Sequence, residues 1–263
     1  MHPDEQHRLL EAVATLTCAA GEVIMNIYHS DFAVRGKDDA SPVTDADERA
    51  ETLILAGLAE LGVDFPVVAE EATAAGHVPE VADCFWLVDP LDGTREFVNR
   101  NGEFTVNIAL IENGSPLLGV VFAPAIGALY AGSRAGGAYI EDANGRRAIK
   151  AREPASEGLD VLASRSHGDS AALTQLLAGR PIRSLINAGS SLKLCLLAAG
   201  QADIYPRQGR TMEWDIAAGH AVLAAAGGQI QTLDGGPLLY GKPGFENPHF
   251  VACGAQPFFE GFR

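Results

Sequence analysis

An apolar run, Phe85-Trp86-Leu87-Val88, opens directly onto Asp89-Pro90-Leu91-Asp92-Gly93-Thr94. Two carboxylates thus stand at the exit of a short strand. Pro90 stiffens that exit, and Gly93 permits a tight turn. A hard cation such as Mg²⁺ takes oxygen ligands in near-octahedral order and keeps some of its waters. Asp89 could bridge two such ions and Asp92 could bind one, with the Leu91 carbonyl between them. The Gly93 and Thr94 amides, at a turn or helix start, could receive a phosphate oxygen. The competing reading is an Asx-turn in which both aspartates only cap backbone amides.

Three further acids are candidates. Glu70 closes a short strand, Pro66-Val67-Val68-Ala69, and carboxylates at the ends of different strands can converge on one point. Taken alone, Glu70-Glu71 reads equally as an exposed loop start. Asp215, in Trp214-Asp215-Ile216-Ala217-Ala218-Gly219, and Asp47, in Thr44-Asp45-Ala46-Asp47, sit where helix caps are expected. Small polar and basic residues gather in the second half. Gly189-Ser190-Ser191-Leu192-Lys193 precedes a helix, and Tyr205-Pro206-Arg207 follows a strand, with Arg210 close by. They could recognise an anionic group or an aromatic base, or serve as a cap and as surface charge. The sequence holds no His-x-x-x-His pair, no Gly-x-Ser-x-Gly elbow and no Gly-x-x-x-x-Gly-Lys-Ser/Thr loop. Gly132–Gly137 precedes a strand and reads as a hairpin turn.

The elements that must position these groups follow from periodicity. Leu9, Val13, Leu16, Ala20, Ile24 and Ile27 mark one face of a first helix. Residues 35–42 are polar and predict a loop. A second helix starts near Thr44 and buries Ala50, Leu53, Ile54, Leu58 and Leu61. The Phe85–Val88 strand is expected to stop at Asp89. Thr105–Ile111, Leu117–Ala123, Ala128–Ala131 and Ala138–Ile140 read as a string of hairpins, an antiparallel sheet under helices. The second half alternates strand and helix. Strands are expected at Leu159–Ala163, Ile182–Ile186, Asp203–Tyr205, Gln229–Thr232 and Phe250–Ala252. Helices are expected at Ser170–Ala178, Ser190–Ala199 and Asp215–Ala226. The pattern changes near Lys150–Glu157, which divides the chain into an α+β part, residues 1–150, and an α/β part, residues 151–263.

The chain has 263 residues, 47% apolar and 20% charged, enough for a substantial core without disulfides. Nineteen basic and 34 acidic side chains leave a net charge of −15, which disfavours a nucleic-acid polymer or an anionic membrane as partner. Four scattered cysteines fit reduced thiols in the cytoplasm. The uncharged stretch from Asn113 to Ser133 contains Pro116 and Pro124 and reads as a hairpin, not a membrane span.

Glu70-Glu71, then Trp86–Thr94, then Trp214–Gly219, in this order and spacing, resemble the inositol monophosphatase superfamily of Mg²⁺-dependent, lithium-sensitive phosphatases, from about Lys37 to Gly254. In detail the chain is similar to the bacterial 3′(2′),5′-bisphosphate nucleotidases of the CysQ type. Lys37–Asp47, Thr94–Phe97, Asn101–Ile111, Gly189–Lys193 and Tyr205–Arg207 carry that likeness. Arg95 stands where Lys is more usual. The resemblance implies a layered αβαβα sandwich of the inositol monophosphatase/fructose-1,6-bisphosphatase type, with two or three Mg²⁺ ions. It implies metal ligation by Glu70, Asp89, Asp92, Asp215 and the Leu91 carbonyl. The implied catalytic set is Asp47, Thr94 and Glu70, with Thr94 and Asp47 orienting the attacking water. Gly93 and Thr94 would hold the scissile phosphate, and Ser190, Ser191, Lys193 and Arg207 the rest of a nucleotide. The expected reaction removes the 3′-phosphate of adenosine 3′,5′-bisphosphate, giving AMP and phosphate, with 3′-phosphoadenylyl sulfate as a second substrate in sulfur metabolism. The alternatives are an inositol or other sugar monophosphatase, and a non-catalytic phosphate-ligand sensor. A cytoplasmic monomer or homodimer is expected.

Overall fold

The computed structural model describes residues 1–36, 42–154, 156–164, 176–177 and 179–255. Helix α1 (Pro3–Tyr28) starts with Pro at its first turn and buries Leu9, Val13, Ala20 and Ile24, the periodic face seen in the sequence. By length and composition α1 could cross a membrane. Its apolar face is instead spent on α2 (Asp45–Ala59) and the first sheet. Residues 37–41 of the expected loop lie outside the described residues. Its flanks depart from expectation, because β1 (Val34–Gly36) and β2 (Pro42–Thr44) pair as an antiparallel ribbon.

The first sheet has seven strands in the order β3-β4-β5-β6-β7-β8-β9. They are β3 (Val67–Ala69), β4 (Cys84–Asp92), β5 (Thr105–Glu112), β6 (Ser115–Ala123), β7 (Ala128–Ser133), β8 (Gly137–Asp142) and β9 (Gly145–Ile149). From β4 onward it is an antiparallel meander, and β3 joins parallel to β4 through α3 (Glu70–Ala74). The Asn113–Ser133 stretch forms the expected hairpin of β6 and β7. Two strands depart from the sequence reading. β4 does not stop at Asp89 but continues to Asp92 across a register shift, where Pro90 needs no ladder partner. β9 was not expected, because its mostly exposed Gly-Arg-Arg-Ala-Ile has no alternating apolar face.

The second sheet has the order β11-β10-β12-β14-β13. Its strands are β10 (Leu159–Ser164), β11 (Ile182–Ala188), β12 (Ile204–Arg207), β13 (Gln229–Thr232) and β14 (Phe250–Cys253). Between the sheets lie α5 (Leu192–Ala198) and α6 (Glu213–Ala225), and α4 (Thr94–Val98) caps the end of β4. The expected helix at 170–178 falls largely outside the described residues. Leu177 packs on the outer face of the second sheet with Val161, Ile204 and Val251.

α6 is buried on several faces because it is sandwiched between the sheets. Its close approach depends on two glycines of the first sheet. A Cβ on Gly119 would stand 2.7 Å from the Ala218 carbonyl oxygen, and one on Gly132 would stand 2.9 Å from the Val222 Cα. The small residues that mark Ala217-Ala218-Gly219 therefore serve packing, and they bring the start of α6 beside the end of β4.

Candidate active site

The site forms where β3, β4 and the N-termini of α2, α5 and α6 meet. Asp89 is 1% exposed, and its Oδ1 accepts the Leu91 N–H at 3.0 Å. Asp92 Oδ2 accepts the Ser191 N–H at 2.5 Å, which ties β4 to the second half of the chain. Asp215 Oδ2 accepts the Met212 N–H at 2.9 Å. These bonds show that the Asx-type and capping readings hold for the backbone, and each leaves further carboxylate lone pairs for other partners.

Burial pushes Asp89 well above the usual carboxylate range, and Glu70, Asp92 and Asp215 add repulsion. Asp215 is also raised well above that range, first by burial and then by Asp92 and Glu70. Asp92 is pushed up to about 6 by burial, against the pull of Lys193 and the Ser191 bond. The four acids predicted from separate sequence blocks are therefore one electrostatic unit. Such a unit suits a hard, oxygen-seeking divalent cation, which relieves the repulsion. Among the described residues, no group of three or more His, Cys, Asp or Glu side chains is drawn together into an arrangement ready to hold a metal ion.

Asp47 is 1% exposed and serves two ends. Its Oδ2 accepts both the Thr44 N–H and the Thr44 hydroxyl at 2.8 Å, completing the capping box of α2. Its Oδ1 lies 3.2 Å from Thr94 Oγ1. The Leu91 carbonyl lies 3.3 Å from the same hydroxyl, whose single proton serves one acceptor at a time. Burial raises the Asp47 pKa, while the Thr44 bonds oppose that rise. Gly93, at φ 91°, makes the turn that presents Thr94; its backbone is left-handed, so a side chain there would be strained.

Asp92, Gly93, Ser190, Ser191, Lys193, Arg207 and Asp215 line one cavity. Their polar atoms are not equally available. Ser191 is 3% exposed, and its hydroxyl donates to Asn107 Oδ1 at 2.6 Å, beside Thr105 Oγ1 at 2.9 Å. Lys193 Nζ donates to the Ala188 carbonyl at 3.1 Å and the Ser190 carbonyl at 2.6 Å and sits over the Tyr205 ring. Burial lowers its pKa to about 8. Ser190 takes a left-handed φ of 44° under these carbonyl contacts. Arg207 Nη2 donates to the Arg210 carbonyl at 3.0 Å, and its buried Nε has no hydrogen-bond partner.

Several supporting residues escaped the sequence reading. Glu51 accepts the Glu71 and Ala72 N–H groups, both at 2.7 Å, and so fixes the turn that carries Glu70. Glu103 accepts the Gly189 N–H at 2.8 Å and holds the serine turn against the first half. Neither has a local signature, since each pairs with a segment distant in sequence. Thr211, which the sequence reading did not name, also lines the cavity, beside Tyr205 of the Tyr205-Pro206-Arg207 stretch that it did.

The model of the inositol monophosphatase family matches residues 5–254. The chain belongs to the inositol monophosphatase family. It is 46% identical over 245 residues to the 3′(2′),5′-bisphosphate nucleotidase CysQ of Shigella flexneri, covering 92% of this chain and 98% of that protein. Among solved structures it is similar to CysQ of Bacteroides thetaiotaomicron, a bacterial member of the inositol monophosphatase family. That likeness has a TM-score of 0.78 and 36% identity, and covers 94% of this chain and 97% of that one. The Thermotoga maritima IMPase gives a TM-score of 0.78 at 28% identity, with 94% and 92% covered. The layered α/β architecture expected from the sequence is the family's fold.

Proposed function

We propose that this chain is a Mg²⁺-dependent phosphomonoesterase that removes the 3′-phosphate of adenosine 3′,5′-bisphosphate, giving AMP and phosphate, and acts on 3′-phosphoadenylyl sulfate as a second substrate. The observation that carries the reading is one cavity lined by the acids Asp92 and Asp215 and by the bases Lys193 and Arg207, with Asp89 and Glu70 within reach of the same acidic charges. The likeness to nucleotidases over nearly the whole chain supports the substrate class.

In this reading Glu70, Asp89, Asp92, Asp215 and the Leu91 carbonyl hold two or three Mg²⁺ ions. When bound, Mg²⁺ supplies charge neutralisation for the phosphate and a lowered pKa for water. With the Thr94 hydroxyl donating its hydrogen bond to Asp47, the Thr94 oxygen keeps lone pairs that would accept a hydrogen bond from water and aim that water at phosphorus. Glu70 assists as a base. The Gly93 and Thr94 amides steady the scissile phosphate, whose displacement needs positioning and charge stabilisation more than a covalent intermediate. Arg207 offers its Nε–H to the second anionic group. Ser190, Ser191 and Lys193 shape the same wall. Residues 1–150 act as the metal-binding part, and residues 151–263 supply Asp215 and the substrate wall. The four free thiols support a cytoplasmic setting.

The test is phosphate release from adenosine 3′,5′-bisphosphate and inositol 1-phosphate, with Mg²⁺ and then with EDTA. The reading expects an EDTA-sensitive preference for the nucleotide. A preference for inositol phosphate would overturn the substrate assignment, and release from neither would overturn the enzyme assignment for these esters.

A further inference from the structure

Residues 241–247 grip, one after another, the four residues that lead into Asp215. Asn247 N–H donates to the Thr211 carbonyl at 2.9 Å. Asn247 Nδ2 donates to the Met212 carbonyl at 2.8 Å and stands 3.3 Å from Thr211 Oγ1. Met212 and Glu246 form an antiparallel bridge. Glu213, 0% exposed, accepts the Gly241 N–H at 2.7 Å, the Lys242 N–H at 2.9 Å and the Lys242 ammonium at 2.6 Å. The Trp214 ring packs against Phe245 with centroids 6.1 Å apart. Glycine adopts the φ of 87° and 77° at Gly241 and Gly244 without strain, whereas the non-glycine Phe245, at φ 56°, is held in a costly backbone conformation.

These contacts converge on one carboxylate. The Met212 N–H that fixes Asp215 Oδ2 shares its planar peptide with the Thr211 carbonyl, which accepts the Asn247 N–H, while Asn247 Nδ2 holds the carbonyl of the next peptide, that of Met212. Asn247 must both donate, to Thr211 and Met212, and accept, from Lys242 Nζ at 3.2 Å. A carboxamide does both; a carboxylate of the same shape does not. A buried Glu213 with three donors is an expensive way to close a surface segment unless the segment it anchors must not move.

We propose that residues 241–247 form a positioning strap that sets the orientation of Asp215, and through it the affinity of the acidic floor for a divalent cation, with Asn247 as its key residue. The inference rests on the metal-site reading above. Groups that orient a ligand typically contribute about 10–100-fold to metal affinity.

The test is calorimetric binding of Mn²⁺ to the full-length enzyme without substrate, alongside the melting temperature and the kcat and KM for adenosine 3′,5′-bisphosphate as Mg²⁺ is varied. Asn247→Asp is expected to weaken Mn²⁺ binding about tenfold or more. The Mg²⁺ needed for half-activation should rise in parallel, while kcat at saturating Mg²⁺ falls less. Glu213→Gln keeps one acceptor oxygen and turns the other into an N–H donor, so one of the Gly241 and Lys242 N–H bonds is lost; the same direction of effect is expected, and it carries the test if Asn247→Asp does not fold. Folded variants that bind Mn²⁺ as tightly as the wild type, with only a lowered melting temperature, would overturn the strap. A wild-type protein that binds no Mn²⁺ would overturn the metal reading itself, and the strap with it.

Discussion

The two sides of the cavity satisfy their polar atoms in opposite ways. On the acidic side, Asp89, Asp92 and Asp215 are each fixed by one backbone N–H, yet burial raises the pKa of all three and the nearby charge of Glu70 adds to each rise. On the basic side, Lys193 donates hydrogen bonds to two carbonyls of its own turn, and Ser191 bonds Asn107 and Asp92. Among the described residues there, the Arg207 Nε is buried without a partner, as is the Asn107 Nδ2 behind Ser191. A group that the fold leaves in conflict is available for an outside partner; a group already bonded to the fold is mostly holding the wall. The comparison separates residues that sequence position alone puts together.

The acidic side should give the largest effect. Asp89→Asn removes charge from the centre of the coupled set and preserves shape, so turnover is expected to fall at least about 100-fold, the scale of losing a key electrostatic group. Circular dichroism should remain that of the wild type. Near-normal turnover would break the contrast at its strong end.

On the basic side the effect should appear in stability more than in substrate use. Lys193→Met keeps the stem and deletes the bonds to the Ala188 and Ser190 carbonyls. Leaving those acceptors unpaired is expected to cost about 1–3 kcal/mol in denaturant unfolding, with KM for the nucleotide changed less than for loss of Arg207. A KM effect without a stability effect would return Lys193 to direct substrate contact.

Away from the cavity, His220 supplies a smaller, pH-dependent contribution. Its Nδ1 lies 2.8 Å from the Tyr240 hydroxyl, and burial lowers its pKa from 6.5 to about 4. Between these values the unfolded chain binds a proton that the folded chain refuses. Stability is therefore full above pH 6.5 and declines as pH falls toward 4. Urea titrations across that window should show the decline, and His220→Gln should flatten part of it. An unchanged slope would remove His220 from the account.

Much of this arrangement was legible in the sequence, for reasons that differ by element. The meander from β5 to β8 follows from alternating apolar residues and turn glycines, and α1 and α2 from their buried stripes. β9 lacked an apolar face to announce it. The extension of β4 through Asp89-Pro90-Leu91-Asp92 was hidden because proline and a register shift look locally like a strand end. The acidic blocks could be read as a site only when taken together, since Asp47 and Asp215 are also genuine caps. Glu51, Glu103 and Asn247 were not legible, because their partners are brought near only by the fold. Ser191 and Lys193 line the cavity, but their inward hydrogen bonds depend on Asn107, Asp92 and Ala188 in three dimensions.

If, as proposed, the acidic side performs the chemistry, the basic side should read a second anionic group. The most direct measurement is kcat/KM for adenosine 3′,5′-bisphosphate against adenosine 3′-monophosphate, in the wild type and in Arg207→Ala. The account predicts that the wild type favours the bisphosphate and that Arg207→Ala lowers this preference about tenfold, the value of one charged hydrogen bond of roughly 1.5 kcal/mol, while turnover of the monophosphate is retained. An Arg207→Ala enzyme that loses both substrates equally, or keeps the full preference, would contradict it.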